Sequence, residues 1–138
     1  PVLYLSKYII IHRSDYYYNL SAVTQQGSWK KWILFMLDAI ENTSAMTNIQ
    51  INNILDQMDS TLNYGKSKIK WYTKEVNEAI FSQPYIKPKI IGNVIGRSSR
   101  TTLSKRMEEL VAAKILTPKK AGSEVYYLND DLIRILAG

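Results

Sequence analysis

From Pro88 to the C-terminus the hydrophobic pattern changes period repeatedly, and each change is marked by a residue that opens, caps or ends a helix. Pro88-Lys89-Ile90-Ile91-Gly92-Asn93-Val94-Ile95-Gly96 predicts a short helix, because proline suits a first turn where its missing N–H has no partner, and glycine closes the far end. Ser98 or Ser99 can cap the next helix, in which Leu103, Met107, Leu110 and Val111 stand at i, i+4, i+7 and i+8 and share one core-facing stripe. Ile115-Leu116-Thr117-Pro118, a turn at Lys119-Lys120-Ala121-Gly122-Ser123, and Glu124-Val125-Tyr126-Tyr127-Leu128 then form a hairpin signal. Asn129 or Asp130 can cap a last helix carrying Leu132, Ile133, Ile135 and Leu136. Two helices across a tight turn, a hairpin and a final helix predict a winged helix-turn-helix whose wing is a two-stranded β-hairpin. Its default work is docking on nucleic acid or on another protein, and the fold alone does not choose between them.

Upstream, the spacing predicts helices throughout. Pro1 opens one through Leu3, Tyr4, Tyr8 and Ile11; Ser14 or Asp15 caps a second, with Tyr16, Leu20 and Val23 in a stripe before the break at Gly27. Ser28 can cap a third, where Trp29, Trp32, Ile33, Phe35, Met36, Leu37 and Ile40 cover more than one face and predict deep burial. Ile51, Ile54, Leu55, Met58 and Leu62 mark a fourth, closed at Asn63-Tyr64-Gly65, and a fifth runs from Lys68 to Ser82 with Ile69, Tyr72, Val76, Ala79 and Ile80 on its apolar side. The expected architecture is mainly α, a helical bundle segment over residues 1–66 followed by the winged helix-turn-helix over 67–138.

Composition excludes several chemistries. The 138 residues contain no cysteine, so neither a disulfide framework nor a thiolate metal site is available, and a reducing cytoplasmic setting is the expectation. His12 is the only histidine, which argues against an imidazole metal site and leaves a helix-end or surface role. The longest apolar runs, such as Trp32 to Leu37, are too short to span a bilayer, so no membrane role is expected. The net charge of +6 favours anionic partners, and the excess is larger from Lys74 onward (11 basic, 7 acidic) than before it (7 basic, 5 acidic).

On the helix after Ser99, the side opposite the core stripe carries Thr101, Lys105, Glu108 and Ala112, with Thr102 and Glu109 beside it and Arg100 and Arg106 flanking the core. With Arg97 before the helix and Lys119 and Lys120 at the wing tip, the candidate nucleic-acid contacts are Arg97, Ser99, Arg100, Thr101, Thr102, Lys105, Lys119 and Lys120. Against this stand Glu108 and Glu109, which would repel phosphate, and the ordinary solvation of exposed helix faces by basic residues. Double-stranded DNA and a protein partner both remain open. Tyr16-Tyr17-Tyr18 could stack bases but point in different directions around a helix, and Trp29 and Trp32, at i, i+3, suit a helical core. The Ile51–Leu62 stripe is the best candidate for homo-oligomerisation, with packing inside the chain the simpler reading.

These residues also resemble a known family. Pro1-Val2-Leu3-Tyr4-Leu5-Ser6-Lys7-Tyr8, then Arg13, Tyr16-Tyr17, Leu20, Gly27, Trp29, Trp32-Ile33 and Phe35-Met36-Leu37, is similar to the segment after the catalytic motif of Fic-domain proteins. Phe81, Pro84-Tyr85-Ile86, Ser99-Arg100, Thr102, Ser104-Lys105, Leu110, Ile115-Leu116 and Tyr127 resemble the winged helix that many bacterial Fic proteins carry after that domain. The resemblance implies a parent that transfers AMP from ATP, with magnesium, to a hydroxyl of a target protein through a motif of the form HxFxxGNGRxGR. That motif is absent here; Gly92-Asn93 and Gly96-Arg97 echo it without its histidine, phenylalanine or spacing. The expectation is a noncatalytic C-terminal region of such an enzyme, with no cofactor of its own, cut from a longer chain. Residues 1–66 are then the C-terminal portion of a Fic-like domain plus a linker helix. The alternative is a free-standing winged-helix transcriptional regulator with a helical dimerisation domain. Lys114 stands where the family usually has glycine, which suggests a helix end without a glycine C-cap.

Overall fold

A computed structural model describes residues 4–96 and 99–138 and divides the chain into two compact units, Pro1–Ile51 and Asn52–Gly138. The helices are α1 (Leu5–Ile11), α2 (Arg13–Gln26), α3 (Trp29–Lys68), α4 (Lys74–Phe81), α5 (Pro88–Ile95), α6 (Arg100–Ala112) and α7 (Asp130–Ala137). Among the described residues three short strands, β1 (Tyr85–Ile86), β2 (Thr117–Ala121) and β3 (Glu124–Leu128), form one antiparallel sheet in the order β1-β3-β2. No helix among the described residues is long and apolar enough to cross a membrane.

In the first unit, Tyr4 takes the N-cap position of α1, and the expected opening at Pro1 and Leu3 lies outside the described residues. His12 ends α1 and precedes α2, so the caps expected of Ser14 or Asp15 are not used; Asp15 sits instead in the first turn of α2. Gly27 closes α2 at φ 62, as a helix-ending glycine does. Tyr16, Trp32 and Phe35 then gather with ring centroids 5.4 to 6.3 Å apart, and Tyr8 joins Phe35 at 5.9 Å. The deep burial expected of residues 29–40 is not found: Phe35 and Ala39 are buried, while Trp29, Ile33, Leu34, Leu37 and Ile40 are exposed. Two short helices in this unit cover one side of α3, and a helix apolar on several sides needs neighbours on each. Tyr17 and Tyr18 are exposed as well.

The expected break at Asn63-Tyr64-Gly65 is also corrected, since α3 continues for 40 residues to Lys68. Gly65 lies within this helix, and its missing Cβ makes room for the Tyr72 ring: a Cβ there would fall 2.5 Å from Tyr72 Cδ1. The chain then turns, and α4 starts only after Thr73, whose hydroxyl accepts a hydrogen bond from the Val76 amide. Ile69 and Tyr72, expected on a helix from Lys68, therefore lie in the connection, yet both are buried. The Tyr72 hydroxyl donates to Asn77 Oδ1 at 2.8 Å, and Asn77 Nδ2 donates to the Met58 carbonyl at 3.0 Å, so these buried polar groups are satisfied. Burial also pushes the Tyr72 phenol above its ordinary pKa.

The core of the second unit joins Val76, Ile80, Ile86, Ile91, Met107, Leu110, Leu116 and Leu132. Ile54, Met58 and Leu62, one stripe of the segment considered for self-association, pack against it, while Ile51 and Leu55 stay exposed. Pro88 opens α5 and Gly96, at φ 86, follows its end. Gly92 lets α6 come close, since a Cβ there would lie 3.3 Å from Leu103 Cδ2. In α6, Met107 and Leu110 are fully buried and Leu103 is half-buried, as their stripe requires. The hairpin turns at Gly122-Ser123, with Gly122 at φ 63 in the left-handed position that a two-residue Gly-X turn demands. The sheet adds one strand that the sequence did not signal: Tyr85 and Ile86 pair with Leu128 and Tyr127.

Two local details carry measurable consequences. Lys114 takes φ 58, and the Lys114 and Ile115 amides donate to the Val111 and Leu110 carbonyls at 2.9 and 3.0 Å. This is a Schellman ending with lysine in the position glycine favours. Lys114→Gly is expected to raise stability by about 0.5–1 kcal/mol, because relief of left-handed strain exceeds the added freedom of the unfolded chain; a higher Tm would show it. Asn129 is buried, and its Oδ1 caps α7 by accepting from the Leu132 amide at 3.0 Å. Its Nδ2 donates to the Ile80 carbonyl at 3.3 Å, and its amide to the Pro84 carbonyl at 2.9 Å. Asn129→Ala should cost about 1–2 kcal/mol, measured by urea denaturation, through loss of the cap and an unpaired carbonyl at Ile80.

Candidate nucleic-acid interface

The Ser99 hydroxyl accepts the Thr102 amide at 3.2 Å, so it caps α6 from an extended conformation that the helix itself cannot supply. Ser99 Oγ and Thr102 Oγ1 also share a hydrogen bond at 2.9 Å. Both side chains are exposed but engaged at this end of the helix. Arg100, Thr101, Lys105, Glu108 and Ala112 are exposed as well, so the open face of α6 carries the residues that its periodicity placed there. Arg97 lies outside the described residues.

Two expected features are changed by the structure. Glu109 does not stand beside Glu108 as a second free acid. It is half-buried, accepts a hydrogen bond from Trp71 Nε1, and faces Arg106 at 3.4 Å. The Arg106 guanidinium in turn lies 4.8 Å from the centre of the Trp71 ring, a cation–π arrangement. One of the two carboxylates that argued against phosphate contact is therefore already held by a donor and a cation. Trp71 stands 38 positions away, and no local spacing signals such a partner.

Lys119 and Lys120 are the second correction. They belong to β2 instead of the wing tip, paired with Tyr126 and Val125 respectively. Successive strand residues point to opposite faces, so the two lysines cannot both meet one flat surface. On the face that Lys119 shares with Tyr126, a polar cluster appears that sequence reasoning missed. Lys87 Nζ and the Tyr126 hydroxyl each donate to Glu124 Oε2 at 2.7 Å, Lys87 Nζ lies 5.1 Å from the centre of the Tyr126 ring, and Tyr85 meets Tyr126 edge-on at 5.8 Å. The Lys87 hydrogen bond holds the Glu124 carboxyl below its usual pKa, and the same contact raises that of Lys87. The acid of the wing is thus paired with a lysine from the connection between β1 and α5. Only the pairing of β1 with β3 brings Lys87 within reach of Glu124.

The site therefore contains an open helix face with hydroxyl and basic groups toward its N-terminal end and an exposed carboxylate at Glu108, and in the hairpin an exposed basic strand beside Glu124, which is paired with Lys87. Such groups can hydrogen-bond to an anionic partner. Among the described residues no three metal-ligating side chains gather into a cluster. A family model described as the C-terminal domain of the SoFic-like protein adenylyltransferases matches residues 55–132, from the second half of α3 into α7 and across more than half of the chain. The chain, with its helix-turn-helix and hairpin in that matched region, belongs to this family and is the C-terminal region of a Fic-type protein.

Proposed function

We propose that this chain is a noncatalytic C-terminal region of a Fic-type AMP-transferase, and that α6 and the hairpin form its docking surface for double-stranded DNA. ATP and magnesium then belong to the catalytic domain of the parent, whose HxFxxGNGR-type motif lies upstream. The matched family, a domain of adenylyltransferases, supports this reading over a free-standing regulator. The observation that carries DNA docking is the withdrawal of Glu109 toward Trp71 and Arg106, which leaves Thr101, Thr102 and Lys105 on the open face with a single acid. Hydroxyl and basic side chains on the first turns of a recognition helix are what phosphate contact and entry into the major groove employ.

Fluorescence anisotropy with a labelled duplex over a range of salt concentrations tests this reading. Binding should weaken as salt rises, and Lys105→Ala, if it removes one phosphate contact, should lower the logarithmic salt slope by about one. Lys119→Ala and Lys120→Ala should differ from one another, because the two side chains leave opposite faces of β2. A chain that binds no duplex at low salt, or whose salt slope is the same with and without Lys105, would remove α6 from any DNA interface.

A further inference from the structure

Beside the α3–α4 connection lies a cleft of about 520 Å³, lined chiefly by Lys68, Lys70, Trp71, Arg106, Glu109 and the alanines of the last turn of α6. Its size falls in the range of sites that accept a ligand or an inserted side chain. On the helical wheel Arg106 lies about a third of a turn from the line through Thr101 and Lys105, whereas Glu109 stands one turn beyond Lys105 and Ala112 falls on that line, so the cleft borders the surface proposed for DNA at the C-terminal end of α6. From it we infer a docking site for an acidic peptide segment that also carries an apolar side chain.

Charge decides the sign of the partner. Lys68, Lys70 and Arg106 line the cleft with Glu109, which is turned to Trp71 Nε1 and paired with Arg106, so the positive excess rests on Lys68 and Lys70. Lys68 and Lys70 are exposed, so their ammonium groups can meet carboxylates at the rim. Lys68 Nζ lies 5.9 Å from the Tyr64 ring centre, at the edge of the cleft. The floor decides the shape. Ile69 is buried, Trp71 and Ala113 are half-buried, and Ala112 presents only a methyl group, so the floor offers apolar surface and little bulk.

Trp71 also argues against a nucleic-acid strand in this cleft. Stacking a base requires an open aromatic face. Arg106 covers one face of the indole, the ring packs against the core, and its N–H is engaged by Glu109. What remains is a basic rim around a small apolar floor, which complements carboxylates flanking a leucine-like side chain. Such complementarity supplies selectivity for acidic over neutral segments.

The test uses the full chain and three labelled probes: a short Glu/Leu peptide, the same peptide with Gln in place of Glu, and a random duplex. Saturable binding of the Glu/Leu peptide at low salt is expected, with the Gln version weaker. Lys68→Glu with Lys70→Glu, at exposed positions where folding should be unaffected, should weaken the acidic peptide by about tenfold or more, as reversal of rim charges does. Ala112→Trp, which fills the cleft without changing charge, should also weaken it. Duplex affinity should survive the two lysine reversals better than peptide affinity does. The proposal is overturned if the Glu/Leu peptide does not saturate, if it binds equally to the double variant, or if the reversals reduce duplex binding as much as peptide binding. DNA docking by α6 is judged separately, through Lys105→Ala and the duplex alone.

Discussion

Leu110→Ala is expected to lower the unfolding free energy by about 2–5 kcal/mol, the usual range for truncating a fully buried leucine. Leu110 has no exposed surface and shares the core with Met107, Leu116 and Leu132. Its surroundings have little freedom to close a cavity. The Ile115 and Leu116 amides donate to the Leu110 carbonyl at 3.0 and 3.4 Å, so the exit from α6 is fixed to the residue whose side chain would be removed. Urea denaturation followed by circular dichroism measures the change. A loss below about 1 kcal/mol would mean that the site collapses or that Leu110 is less enclosed than its position indicates. Val111→Ala is the comparison, since Val111 is only half-buried and should cost less.

Gly65→Val should destabilise by roughly 3 kcal/mol, the upper end of overpacking costs. The first added carbon would lie 2.5 Å from Tyr72 Cδ1 and Cε1 and 2.8 Å from Cζ, well inside contact distance. The ring has little room to move: Tyr72 is 3% exposed and its hydroxyl is bonded to Asn77. Replacing a helical glycine normally gains up to about 1 kcal/mol in helix propensity, too little to offset the clash. Combining Gly65→Val with Tyr72→Leu should cost less than the sum of the two, because the second change removes the ring that the first one meets. Strict additivity in thermal or urea denaturation would refute the contact.

Local chemistry made much of the second unit legible. Pro88, Gly96, Ser99 and Asn129 act at the helix ends where their types belong, and the Leu103-Met107-Leu110 stripe faces the core as its period requires. Features that depend on distant partners were not legible. Gly65 looks like a stop signal until Tyr72 is laid against it, and Tyr85-Ile86 is too short to declare itself a strand without β3 beside it. Of the candidate interface, the open face of α6 followed from periodicity. The withdrawal of Glu109 did not, because it rests on Trp71 across the connection between α3 and α4. The lysines of the hairpin were displaced from the tip because the turn takes only Gly122 and Ser123, which leaves Lys119 and Lys120 within the pairing register.

The packing of Ile54, Met58 and Leu62 onto the core has a consequence for how this module is handled as an independent protein. A fragment begun at residue 67 or 74, where the helix-turn-helix pattern starts, would discard those three side chains together with Gly65 and the Met58 carbonyl that accepts from Asn77. It would expose the underside of the core and leave a buried amide without its acceptor. A segment expected to fold on its own therefore reaches back into α3 far enough to keep Ile54, and amides near Met58 should exchange with deuterium on the same timescale as those of α4.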